Sequence, residues 1–169
     1  MPDLAPLDPA WEPVVPYAEL IGTRSFVSSD PAGDRIRVAY YTGGGTTWAR
    51  AWFGPGAEGP PGHAHGGATA AVLDEAMGMA ALLTGRVVVG RRIEVDYYAL
   101  VPLGEVVTVE VAADAAAGRS VRVEATLRRS DGTLCCSAAG VFVDIGEARV
   151  REAAAAVGRE IGGPRETPG

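Results

Sequence analysis

The sequence predicts an α+β domain in which one curved antiparallel sheet of about six strands wraps around one long central helix. Three observations lead there. The stretch from Gly67 to about Leu83 has helical periodicity and is apolar on nearly every side, the mark of a helix surrounded by other structure. Six segments outside it alternate apolar and polar residues with the period of a strand. Glycine-rich turns, Gly43-Gly44-Gly45 and Asp131-Gly132, join neighbouring segments as hairpins.

In chain order, residues 1–34 read as an extended arm. Pro2, Pro6, Pro9, Pro13 and Pro16 resist helix and sheet pairing, and Tyr17 to Ile21 is a candidate short helix. The main domain spans residues 35–146. Arg35 to Tyr40 places Ile36, Val38 and Tyr40 on one face, and Thr47 to Phe53 completes a hairpin. Pro55, Pro60 and Pro61 then take the chain out of the sheet before His63. After the helix, Val87 to Leu100, Glu105 to Ala113, Ser120 to Arg128 and Thr133 to Ile145 read as four further strands. Ala117-Gly118 serves a turn between two of them. Residues 147–169 form a tail, part of it helical from Glu147 to Ile161 with little to bury.

Composition narrows the function. A chain of 169 residues is one domain's worth, and a net charge of -6 with no basic cluster argues against a nucleic-acid surface. Every basic side chain is an arginine, so guanidinium is the cation available for a phosphorylated ligand. Cys135 and Cys136 are adjacent and cannot easily pair with each other, which fits a reducing cytoplasm. Neither a signal peptide nor an apolar run of membrane-spanning length is present, so a soluble cytoplasmic protein is expected.

The run from His63 to Gly78 carries the chemistry. A carboxylate within an apolar helix, Asp74, loses hydration and needs compensation. Its neighbour Glu75 points about 100° away around the helix axis and cannot easily serve the same pocket. The Gly66-Gly67 pair opens the helix, where free backbone N–H groups point outward and glycine admits a ligand closely. A polarising amide together with a carboxylate that directs water or attacks is what acyl transfer needs.

The run Gly59-Pro60-Pro61-Gly62-His63-Ala64-His65-Gly66-Gly67, followed by Leu73-Asp74-Glu75, resembles the hotdog-fold acyl-CoA thioesterases of the PaaI-like and THEM4-like branch. The likeness continues through Val101-Pro102-Leu103-Gly104-Glu105 and Ser137 to Phe142, and covers roughly residues 35 to 145. It implies a single hotdog domain assembled as a homodimer, with dimers able to join as tetramers and each site drawing on both protomers. The substrate would be an acyl-CoA, with no cofactor and no metal. In that pattern the Gly67 amide polarises the thioester carbonyl, His65 orders the loop, and Asp74 of the other protomer acts as general base or nucleophile. Substrate contacts fall to Gly66, Gly90, Arg91, Arg92 and Thr69, with Glu75 behind them.

Two positions depart from the family. Gly90 stands where many relatives have a hydroxyl, which either comes from Thr69 or Thr84 instead or is missing, and Gly59 stands near where PaaI-like members often have Asn. Structural roles compete with the chemical ones. Asp74 and Glu75 could be structural acids, and Arg91 and Arg92 merely solvated. Met77 and Met79 read as core, while Trp48, Trp52 and Phe53 read as packing between the sheet and a neighbouring protomer. A metal site from His63, His65 and Asp74 is disfavoured, since two histidines flanking one extended residue point apart. A hotdog dimer that binds acyl-CoA or an acyl carrier without turnover is the alternative, and an enoyl-thioester hydratase comes behind it.

Overall fold

A computed structural model describes residues 2–16, 24–115 and 118–158. The candidate helix from Tyr17 to Ile21, the turn residue Ala117 and the chain after Gly158 lie outside them. The elements are strand β1 (Glu12–Val14), strands β2 (Ile36–Gly43) and β3 (Thr46–Phe53), a 3-10 turn (Pro55–Ala57) and helix α1 (Gly66–Leu82). Strands β4 (Val88–Tyr97), β5 (Val106–Asp114), β6 (Ser120–Arg128) and β7 (Leu134–Asp144) and helix α2 (Gly146–Ala156) follow.

All strands join one antiparallel sheet in the order β1-β2-β3-β5-β6-β7-β4. The six expected strands are present within a residue or three of their expected ends, and a seventh comes from the arm. Proline was expected to keep that arm out of the sheet, yet Pro13 stands opposite Tyr41 in the β1–β2 ladder. The reason is position: β1 is an edge strand, where the missing proline N–H can face away from the sheet.

Strand alternation sorts the side chains. On β3, Thr47, Ala49, Ala51 and Phe53 are buried on the inner face, and on β6 Val121, Val123, Ala125 and Leu127 do the same. These rows close over Val72, Leu73, Ala76, Met77 and Ala80 of α1 to form the core. The hairpin β2–β3 turns through Gly44 and Gly45, whose φ values of 59° and 80° suit the tight turns that match sheet twist.

The helix is not buried all round, however. Its stripe Gly67, Ala71, Asp74 and Gly78 remains partly or fully exposed, because the sheet curls past it and ends at β4. Strand β4 pairs with β7 alone, and its outward hydrogen-bonding edge is unpaired among the described residues.

Part of the outer face of β2 and β3 is covered by the arm. Trp11 stacks on Trp48 with centroids 4.5 Å apart and tilts against Tyr41 at 6.0 Å, while the Tyr41 hydroxyl donates to the Leu4 carbonyl at 2.7 Å. Gly43 makes the space: a β-carbon there would stand 2.7 Å from Trp11 Cδ1. Phe53, by contrast, lies wholly inside the core. Trp11→Ala is expected to lower stability by about 1–3 kcal/mol through lost ring contact and burial, read as a lower urea midpoint with unchanged helix content.

Candidate active site

The start of α1 is held by the loop before it. His65 N–H donates to the Ala57 carbonyl at 2.7 Å and Ala64 N–H to the Val101 carbonyl at 2.8 Å, so residues 57–65 are tied to the connection between β4 and β5. Gly59 fits against this turn only because it lacks a side chain: a β-carbon would come within 2.6 Å of His65 Cα. The departure at this position is thus built into the path of the backbone.

His65 is the N-cap, and its Nδ1 accepts the Gly67 N–H at 2.9 Å. The Gly67 amide, expected to face an acyl carbonyl, is therefore engaged within its own loop. The His65 carbonyl accepts from Ala68 N, Thr69 N and, at 3.4 Å, the buried Thr69 hydroxyl. That fixes the preceding peptide, whose own N–H belongs to Gly66. Among the described residues no acceptor meets the Gly66 N–H, which leaves it as the unengaged donor at this helix end.

Next to Gly66 lies an open cavity of about 290 Å³. It is lined by Pro60, Ala64, Thr69, Tyr97, Tyr98, Ala99, Leu100, Val101 and Cys136 as well as by Gly66. Sequence reasoning missed Tyr97, Tyr98 and Leu100 as site residues, although three large apolar or aromatic side chains at the exposed end of a strand were a legible signal. Burial pushes the Cys136 thiol up to about 11, so the sulfur at this wall stays protonated. The two cysteines are free thiols, both buried.

Asp74 sits two turns farther along α1 and is exposed in the protomer. Desolvation by its apolar surroundings, and then the neighbouring Glu75 charge, raise its pKa above the ordinary carboxylate value. Its close neighbour is the strand position that the sequence singled out: a β-carbon built on Gly90 would stand 3.6 Å from Asp74 Oδ1 and 3.6 Å from Phe142 Cε1. A serine or threonine there could reach the carboxylate, and glycine leaves that place open. Neither expected substitute fills it within the protomer. Thr84 donates to the Ala81 carbonyl at its own helix end, and Thr69 lies at the opposite end of α1.

Glu75 has a different task. It accepts the Tyr40 hydroxyl at 2.8 Å and the Ser25 hydroxyl, tying α1 to β2 and to the segment before it. Burial and this carboxylate raise the Tyr40 pKa well above its usual value, so the phenol remains a donor. Arg91 occupies a bulge in β4, and Arg92 belongs to the outer sheet row with Val141 and Arg122. Arg92 pairs with Glu94 on that outer face, away from the helix face that holds Asp74. The structure therefore does not bring Arg92 to Asp74. His63 Nδ1 lies 2.8 Å from the Pro61 carbonyl, a different partner from that of His65.

With this geometry established, the comparisons place the chain. Residues 61–136 match the model of the thioesterase superfamily. Over those residues the chain is similar to that superfamily. Its fold is the hotdog, a sheet folded around one helix. It is similar to acyl-coenzyme A thioesterase THEM4 of Xenopus laevis, with 33% identity over 93 residues, 54% of this chain and 42% of the relative. The chain thus spans about two fifths of that relative's length. A solved thioesterase superfamily protein is 29% identical with a TM-score of 0.60, over 64% of this chain and 54% of its own. A Streptococcus mutans protein solved with bound acetyl CoA shares the fold at 18% identity and a TM-score of 0.58, over 60% of this chain and 82% of its own. No helix among the described residues is long and apolar enough to cross a membrane.

Asp74 offers a test of its environment. Folding raises its pKa, so the native state binds the proton more tightly than the unfolded chain. Ionised Asp74 therefore costs stability above the native pKa, and the cost fades as pH falls through that value toward the ordinary one. Asp74→Asn should melt at or above the wild-type temperature at neutral pH, with the gap closing in acid. A calorimetric pH series would show it. Gly59→Asn should lower the melting temperature by several degrees, since the side chain must push against the His65 backbone.

Proposed function

We propose that this protein is an acyl-CoA thioesterase, hydrolysing an acyl-CoA to the free acid and CoA at sites shared by two protomers. The observation that carries this is the layout of β4. Its beginning, Gly90, lies beside Asp74; its end, Tyr97, is hydrogen-bonded to Gly66 at the start of α1. Gly66 and Asp74 are eight residues apart on one helix, about 12 Å along the axis, too far to act on one carbonyl. Antiparallel pairing of two β4 edges about a two-fold axis would put the Gly90 end of one protomer opposite the Tyr97 end of the other. Asp74 of one chain then approaches the Gly66 cavity of its partner. The exposed Val89, Tyr97, Tyr98 and Leu100 along this edge supply apolar surface for the pairing.

In such a site the thioester carbonyl accepts from the helix N-terminus. The Gly66 N–H is the donor ready for it, and a contact with Gly67 requires the His65 cap to give way. Asp74 acts on the opposite side of the carbonyl. As a base it takes a proton from water, whose oxygen bonds to the carbonyl carbon, or as a nucleophile it forms an anhydride that water then opens. The C–S bond breaks and CoA departs as the thiol. The resemblance to THEM4 and the likeness of fold to the acetyl-CoA-bound protein support the substrate class. Either role for Asp74 needs the ionised carboxylate, so activity should fall as pH drops through its raised pKa.

A second reading, an acyl-CoA binder without turnover, draws on the empty place at Gly90 and the engaged Gly67 amide. An acyl-CoA panel with a thiol readout decides between them. Wild type should release thiol, and Asp74→Ala should lose about a hundredfold or more in rate. Tight binding by calorimetry with no release across the panel would select the binder. Gly90→Ser should fold and, by donating to the carboxylate, shift the acid limb of the pH–rate profile to lower pH.

A further inference from the structure

The peptide linking Gly66 to Gly67 is gripped at both ends. The Tyr97 hydroxyl donates to the Gly66 carbonyl at 2.9 Å, and the N–H of the same peptide, that of Gly67, donates to His65 Nδ1 at 2.9 Å. Glycine has the broadest backbone freedom of any residue, and two in succession at a helix start would otherwise let this peptide rotate. The Tyr97 ring also rests on Gly66, with ring carbons 3.6 Å from where a β-carbon would stand.

We infer that Tyr97 is a positioning residue of the proposed hydrolase: its hydroxyl fixes the plane of the Gly66–Gly67 peptide and, by holding the Gly66 carbonyl, the backbone of Gly66, whose own N–H receives the acyl carbonyl. The inference rests on the thioesterase reading but concerns a residue that the sequence did not single out. It follows from where the hydroxyl bonds. Donation into a peptide carbonyl also polarises the amide and strengthens what its N–H donates. The other end of the preceding peptide is held by Thr69, so both peptides at the helix entry have an external clamp, one from α1 itself and one from the β4 edge. Because the oxyanion donors must match a position reached only as the carbonyl becomes tetrahedral, loosening their frame costs turnover more than binding.

Tyr97→Phe removes the hydroxyl and keeps the ring against Gly66 and in the cavity wall. Two readouts test it together: steady-state thiol release from acyl-CoA, and amide hydrogen exchange along α1. The variant should keep its molecular mass in solution and its melting temperature within a few degrees. Its kcat should fall about three- to tenfold with KM within about twofold, and exchange at Gly67 should quicken by a similar factor while the middle of α1 is unchanged. An unchanged kcat, an equal loss in KM, or unchanged Gly67 exchange would overturn the assignment. If wild type releases no thiol from any acyl-CoA, the hydrolase reading fails, and the exchange comparison still decides whether Tyr97 holds this peptide.

Discussion

Burial of α1 is the constraint on which the rest of the structure depends. A helix with Val72, Leu73, Ala76, Met77 and Ala80 turned inward is stable in water only if a surface curls around it, and the inner rows of β3, β5 and β6 provide that surface. Once the helix is clasped, its two ends and its one open stripe are the places where polar chemistry can reach it. The N-terminus opens at Gly66 beside a cavity, and the stripe presents Asp74. Both lie along the same unpaired strand, so the architecture that solves the packing problem also sets the spacing of the proposed site.

Glycine and acid play opposed parts along that stripe. Gly140 makes room for the Phe142 ring, where a β-carbon would stand 2.9 Å from Cε2, and the ring packs beside Gly78, Gly90 and Asp74, whose carboxylate is partly desolvated. Its raised pKa is the electrostatic cost of that packing. Glu75, one residue on, accepts the hydroxyls of Tyr40 and Ser25 and serves as a structural tie.

Much of this was legible in the residues. Alternation located six of the seven strands, since one face of each is buried and the other is not. Helical periodicity located α1, and the paired glycines marked its start. What escaped was set by contacts distant in sequence. Pro13 in a ladder depends on β1 lying at an edge, and Trp48 meeting Trp11 depends on the arm folding back across the sheet. The engaged Gly67 amide depends on the rotamer of His65, and the separation of Arg92 from Asp74 depends on the sheet face on which the strand presents it. Tyr97 bonds to a backbone atom 31 positions away, and periodicity carries no information about such a bond.

The two borders of the sheet are unlike. On one side the chain lays its own three-residue strand, with a proline at its middle, against β2; that fragment is short and has one fewer donor to offer a newcomer. On the other side the outward edge of the ten-residue strand β4 has no strand partner among the described residues. In the proposed pairing along β4, each outer end of the combined sheet would be a short β1 edge with little to offer a third copy. The proline-bearing arm would then act as a stop that favours a closed pair over an open-ended fibre.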